Sequence, residues 1–88
     1  MITKLVKITN PTGFGLNSVG ELCKIAVNYK CEITFIYDKD NIANAKSVLS
    51  VLGAGIKAGD EIVLQCDGED EEEALKDLVA FIESGIEV

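Results

Sequence analysis

Gly13-Phe14-Gly15-Leu16-Asn17-Ser18-Val19-Gly20-Glu21-Leu22 is a glycine-rich turn running into a helix, and the remaining elements fall into order around it. Immediately before it, Asn10-Pro11-Thr12-Gly13 has the residues of a type I turn, with Asn first, Pro second and Gly fourth. Within it, Ser18 and Glu21 have the Ser-x-x-Glu spacing of a capping box, followed by apolar residues at helical spacing. A glycine-rich approach to a helix start leaves backbone N–H groups pointing outward and unpaired, which suits an anion. No side chain of the loop can act as acid, base or strong nucleophile. A hydroxyl-plus-base reading of Ser18 and Glu21 is unnecessary, because capping accounts for the pair.

Working outward, residues 2–9 read as a strand, with Ile2, Val6 and Ile8 on one face and Thr3, Lys7 and Thr9 on the other. Lys4 and Leu5 break the alternation, and Leu5 on the outer face requires one side of the sheet to be open. From Ser18 to about Tyr29 the pattern turns helical, with a stripe of Val19, Leu22, Cys23, Ala26 and Tyr29. Residues 31–38 alternate again, Cys31, Ile33, Phe35 and Tyr37 inward. Asp38-Lys39-Asp40-Asn41 is a polar turn, and residues 42–45 form a short partner strand.

Ser47 stands at a helix N-cap position before Val48-Leu49-Ser50-Val51-Leu52, and Gly53-Ala54-Gly55 supplies the stop. A helix of under two turns cannot bury Val48, Leu49, Val51 and Leu52 together in a small domain, so part of that surface is expected to stay exposed as a partner site. Gly59-Asp60 opens a last strand with Ile62, Leu64 and Cys66 inward. Residues 69–84 form the last helix, with Ala74, Leu75, Leu78 and Ile82 as its core stripe and Gly85 as its stop. Glu69 to Glu73 crowd the positive end of its dipole. Consecutive carboxylates fan around the axis, so they read as a solvated cap and not as a cation site. The order strand, helix, strand, strand, helix, strand, helix predicts an α+β open-faced sandwich: a four-stranded antiparallel sheet with three helices on one face.

The totals narrow the function. The 88 residues amount to one domain, residues 1–88, and 48% hydrophobic content is that of a globular chain. A net charge of −7, with eight dispersed lysines and no arginine, argues against nucleic acid and anionic membrane surfaces as partners. No apolar run approaches the roughly 18 residues of a membrane span, and the N-terminal residues lack a signal-peptide pattern, so the expected location is the cytoplasm. Cys23, Cys31 and Cys66 form no Cys-x-x-Cys pair and the chain has no histidine, so they read as buried thiols, and neither a metal nor a cofactor is expected.

The element order, the loop ahead of the first helix and Asn44-Ala45-Lys46-Ser47-Val48-Leu49 together resemble the histidine-containing phosphocarrier (HPr) family of the bacterial sugar phosphotransferase system. The resemblance covers essentially the whole chain, the final helix from Gly68 to Leu75 included. It implies phosphoryl relay by a histidine in a Gly-Ile/Leu-His-Ala-Arg-Pro loop, with an arginine and a helix N-terminus holding the phosphate. On the matching positions this chain carries Gly15 for the histidine, Asn17 for the arginine and Ser18 for the proline. That is a phosphocarrier loop emptied of its carrier, so no phosphocarrier catalysis is expected.

The family's second motif, Lys-Ser-Ile-Met-Gly, corresponds to Lys46-Ser47-Val48-Leu49-Ser50. In Gram-positive relatives its serine is a regulatory phosphorylation site, and the histidine-less Crh subfamily retains it. The resemblance therefore implies a Crh-like regulatory protein of carbon catabolite control. Ser47 would be the phosphorylation site, and Val48, Leu49 and Leu52 the partner-binding patch. The implied partners are an HPr kinase-like enzyme, a LacI-type regulator or a phosphotransferase-system component. Ser47 serves equally as a plain N-cap. A second reading, from the residues alone, is an anion or phospho-ligand module using the Gly13–Glu21 loop.

Overall fold

A computed structural model describes residues 1–11 and 13–84. Its elements run β1 (Ile2–Lys7), α1 (Leu16–Ala26), β2 (Glu32–Tyr37), β3 (Asn41–Asn44), α2 (Val48–Ala54), β4 (Glu61–Asp67) and α3 (Glu71–Glu83). The four strands form one antiparallel sheet in the order β1-β4-β2-β3. With the three helices this is the open-faced α+β sandwich expected from the alternation. Ile2 pairs with Cys66 and Val6 with Ile62 across β1 and β4. Ile33 opposes Cys66 and Phe35 opposes Leu64 across β2 and β4. This register puts every inward apolar residue of the central strands on the helix side.

The core is the sum of those faces. Val19, Leu22, Cys23 and Ala26 of α1, Val51 of α2, and Ala74, Leu78 and Ile82 of α3 are buried against Val6, Ile33, Phe35, Ile62 and Leu64. Phe35 is fully buried and packs T-shaped with Phe14, ring centroids 5.9 Å apart at 81°. Leu5 is 60% exposed on the opposite side of the sheet, as the broken alternation of β1 required. Lys4 faces the helix side opposite Leu64, but β1 is an edge strand, and Lys4 lines a groove beside Leu75 and Val79 of α3.

Several boundaries move. Ile8 and Thr9 lie beyond β1, although Ile8 is fully buried; its N–H donates to Asp60 O at 2.8 Å and its carbonyl accepts from Gly59 N at 2.8 Å. Residue 45 follows β3, and Tyr29 follows α1 as a half-buried residue packed on the core. α2 continues through Gly53 and Ala54 and stops at Gly55, whose left-handed φ of 64° suits a residue without a Cβ. α3 begins at Glu71 with Asp70 as N-cap, so Glu69 and Asp70 precede its first turn. Gly85 and Thr12 lie outside the described residues.

The expected capping box is absent. α1 begins at Leu16 with Gly15 as N-cap and has no side-chain cap, so Ser18 is two residues inside the helix. The buried Ser18 Oγ donates to Gly15 O at 3.0 Å and to Gly13 O at 3.3 Å. Glu21 instead pairs with Lys24 one turn on, at 3.8 Å. Because the helix already starts at Leu16, Ser18 lies within its first turn with its hydroxyl donating back to the loop, and the capping pattern marks no helix end.

Candidate functional site

Two surfaces carry the residues singled out in the sequence. The first is the turn ahead of α1. Asn10 is buried, its Nδ2 donating to Gly13 O at 2.6 Å while Gly13 N donates to Asn10 O at 3.2 Å. Gly13 has φ +62°, and a Cβ there would sit 2.5 Å from Ile56 O and 2.8 Å from Lys57 Cα. Phe14 N donates to Ile56 O at 3.1 Å, so the turn is stitched to the segment after α2. Gly15 differs: its backbone is extended (φ −81°, ψ 177°), and a Cβ would meet nothing within 4 Å. The position is open to a side chain, so nothing in the packing demands glycine there.

Asn17 is exposed and Leu16 is 71% exposed at the first helical position. The sequence reading missed Leu16. Placing the cap at Ser18 left Leu16 outside the helix; with Gly15 as N-cap it is the first helical residue and has no preceding turn of its own helix to lie over. Chemically the turn offers backbone N–H groups and an amide; Ser18 is turned inward and occupied by carbonyls.

The second surface is the start of α2. Ser47 adopts an extended N-cap conformation (φ −112°, ψ 115°), and its Oγ accepts from Ser50 N at 3.3 Å. Ser50 Oγ in turn accepts from Asn44 N at 2.9 Å, Asn44 Oδ1 accepts from Lys46 N at 2.9 Å, and Ser47 N donates to Asn44 O at 3.1 Å. These bonds tie the first turn of α2 to the end of β3. Ser50 is a contributor the sequence reading left without a role; Ser-x-x-Ser is too common a pattern to single out. Lys46 Nζ donates to Tyr29 O at 2.6 Å, which leashes it across to the end of α1.

Held in this way, α2 buries Val51, half-buries Leu52 and leaves Val48 39% and Leu49 83% exposed. Of these four apolar residues, Val51 is core, Leu52 packs partly on it, and Val48 and Leu49 form the exposed surface, as the short length of α2 required. α1 packs on α2, so both starts belong to one helical layer. A polar cleft of about 500 Å³ between the Asp38–Asp40 turn and the segment after α2 is lined by other residues, Tyr37, Lys57 and Glu61 among them.

The cysteines are all buried and all free. Burial pushes the Cys66 thiol up to about 12, with neighbouring Cys31 adding to it. Burial also raises Cys31, with Asp70 contributing, and Cys23. Buried thiols whose protonated form is favoured are poor nucleophiles and poor ligands. Among the described residues no group of His, Cys, Asp or Glu is placed to hold a metal ion. No described helix is long and apolar enough to cross a membrane.

The acidic start of α3 is partly structural. Asp70 accepts from Lys30 N at 2.8 Å and from Cys31 N at 2.9 Å, and these backbone donors, Lys30 first, hold its carboxyl below the usual range. Glu71 accepts from Gly68 N at 3.0 Å, which lowers its carboxyl too. Asp70 therefore pins the α1–β2 connection; it is not simply part of a solvated cap.

Comparison with known proteins agrees with this architecture. Residues 2–84 match the family model described as "PTS HPr component phosphorylation site". The chain is 35% identical over 78 residues to phosphocarrier protein HPr of Buchnera aphidicola, covering 89% of this chain and 91% of that one. It is 34% identical over 83 residues to the HPr-like protein Crh of Halalkalibacterium halodurans, covering 94% and 98%. The crystal structure of HPr-C-His from Thermoanaerobacter tengcongensis superposes with a TM-score of 0.93 at 31% identity, covering 98% of this chain and 96% of that one. Family model, sequence relatives and fold agree over nearly the whole described chain, and the protein belongs to the HPr family of the phosphotransferase system.

Proposed function

We propose that this protein is a non-catalytic, Crh-like regulatory module that presents the start of α2 to a protein partner and is controlled by phosphorylation at Ser47. The observation that carries the reading is the exposure of Leu49 (83%) and Val48 (39%) directly after the Ser47 N-cap. Adjacent exposed apolar side chains at a helix start are a feature that protein-binding surfaces commonly share. Phosphorylation would add a charge of about −1.5 to −2 beside that pair, at the positive end of α2, and so change which partner fits. The chain has no histidine, so imidazole-based relay is unavailable, and Gly15, Asn17 and Ser18 are read as a degenerate phosphocarrier loop.

The test is incubation with ATP and a kinase that modifies HPr on serine, followed by intact-mass analysis. One phosphate on wild type and none on Ser47→Ala is expected. No addition on wild type, or equal addition on Ser47→Ala, rejects the switch. The partner, by family resemblance a LacI-type regulator or a phosphotransferase-system component, is then sought with unmodified and phosphorylated protein side by side.

A second reading rests on the uncapped start of α1: the Gly13–Glu21 loop binds a small anion or phosphorylated ligand without turning it over. Titration with inorganic phosphate should then move the amide resonances of Gly15 through Val19. Silence there removes this reading and leaves the Ser47 reading untouched.

A further inference from the structure

Lys46 stands directly before Ser47, and its side chain is committed elsewhere. Nζ donates to Tyr29 O, just past the end of α1, at 2.6 Å, and the residue is half-buried. Among the described residues it is the one lysine whose ammonium is held by a hydrogen bond; Lys24 makes an ion pair with Glu21 at 3.8 Å. No described carboxylate lies within ion-pair distance of Lys46, so its charge rests on a neutral carbonyl.

The backbone that carries both side chains is fixed. Asn44 Oδ1 accepts from Lys46 N at 2.9 Å and Asn44 O accepts from Ser47 N at 3.1 Å, so one tight turn holds the two residues relative to each other. Their Cα atoms are about 3.8 Å apart. A phosphoryl group on Ser47 therefore comes within reach of the flexible four-carbon stem of Lys46 by side-chain rotation alone. Two acceptors then compete for one ammonium. Tyr29 O offers a dipole. The phosphate offers three acceptor oxygens and a charge of about −1.5 to −2, and a hydrogen bond between two ionised groups is the stronger.

The end of α1 does not depend on Lys46 for its place. The Tyr29 hydroxyl donates to Asp77 of α3, and the next two amides, Lys30 N and Cys31 N, donate to Asp70. Departure of Lys46 leaves these ties intact and removes the hydrogen bond that joins this end of α1 to the approach to α2.

We infer that Lys46 is the internal counter-ion of phosphorylated Ser47: its ammonium leaves Tyr29 O for the phosphoryl oxygens, so the modification also unties the start of α2 from the end of α1. The inference rests on the reading of Ser47 as a phosphorylation site and adds a positioning residue to it.

The test uses the full chain with phosphoserine installed at position 47 during translation. A failed kinase reaction then rejects the modification by that enzyme, while the installed phosphate still reports on Lys46. The carbonyl ¹³C resonance of Tyr29 is expected to move on phosphorylation toward its position in unmodified Lys46→Gln, which lacks the bond. The second ionisation of the phosphoserine, followed by ³¹P NMR, should lie about half a pH unit lower in wild type than in Lys46→Gln, because a nearby cation favours the dianion. Lys46→Arg should keep the lower value, and Lys76→Gln, which removes a lysine on α3, should leave it within about 0.1. A Tyr29 carbonyl unmoved by phosphorylation, or an ionisation that Lys46→Gln shifts no more than Lys76→Gln does, overturns the inference.

Discussion

Gly13 and Gly15 are two residues apart in one loop, yet the structure assigns them opposite sensitivities. Gly13→Ala puts a Cβ on a residue at φ +62°, 2.5 Å from Ile56 O and 2.8 Å from Lys57 Cα, where backbone and not a flexible side chain must give way. The left-handed conformation alone costs about 1–2 kcal/mol for a residue with a Cβ. Moving the segment at 56–57 adds about 1–3 kcal/mol of overpacking. A loss of about 3 kcal/mol follows, against a total of about 4–13 kcal/mol for a domain of this size. Gly15→Ser has no such obstacle, because the backbone is extended and the space open. Serine at this uncapped N-cap restricts the unfolded chain and offers an oxygen to a free N–H, so a gain of about 0.5–1 kcal/mol is expected. Urea unfolding followed by circular dichroism separates the two. With a slope of about 1 kcal/mol/M, Gly13→Ala moves the midpoint down by about 3 M and Gly15→Ser moves it up by about 0.5–1 M. Equal losses from both substitutions would refute the geometry, since they would mean that the loop senses glycine content and not the approach to Ile56.

Other expectations can be checked with the same protein. Ser47→Ala removes the cap oxygen of α2; because the bond is long at 3.3 Å the loss should be small, about 0.5–1 kcal/mol, whereas Ser47→Asp, itself a good N-cap, should restore it in thermal unfolding. The three buried thiols should resist a thiol reagent in the native state at pH 8 and label together in denaturant; fast native labelling of Cys66 would contradict its burial and raised thiol. The carboxyl of Asp70 lies below its ordinary value of 3.8, so its contribution to stability is present above that pH and fades as pH falls through the lower folded value. Asp70→Asn should lower stability at pH 7 and flatten the acid limb below about pH 4, read from urea midpoints across pH. An unchanged acid limb would place the proton uptake elsewhere, with Glu71 the next group to test.

The strands and their faces were legible because period-two alternation is enforced by the pleat itself, as at Ile33, Phe35, Ile62 and Leu64. The exposure of Val48 and Leu49 was legible too, from the mismatch between helix length and apolar content. What failed was local pattern read without its surroundings. Ser18 and Glu21 have the spacing of a capping box, but the helix starts earlier, Ser18 donates to two loop carbonyls and Glu21 pairs with Lys24. The task of Asp70, on backbone N–H groups some 40 residues away, has no signature in its own neighbourhood. The tight seat of Gly13 depends on Ile56, equally remote in sequence.

The strand order also constrains synthesis. β4 lies between β1 and β2, so Ile2 finds its partner only when Cys66 has been made. β1 and β2 are never neighbours, and until β4 is made the β2–β3 hairpin is the sole native strand pair open to the nascent chain among the described strands. The strand that finishes the sheet is also the strand that joins its two halves. Lys4 and Lys7 give the first strand charges of the kind that discourage pairing at an open edge. A chain stalled before residue 61 would expose β1 and one edge of β2 together, and it is this truncated form that aggregation and quality control would meet.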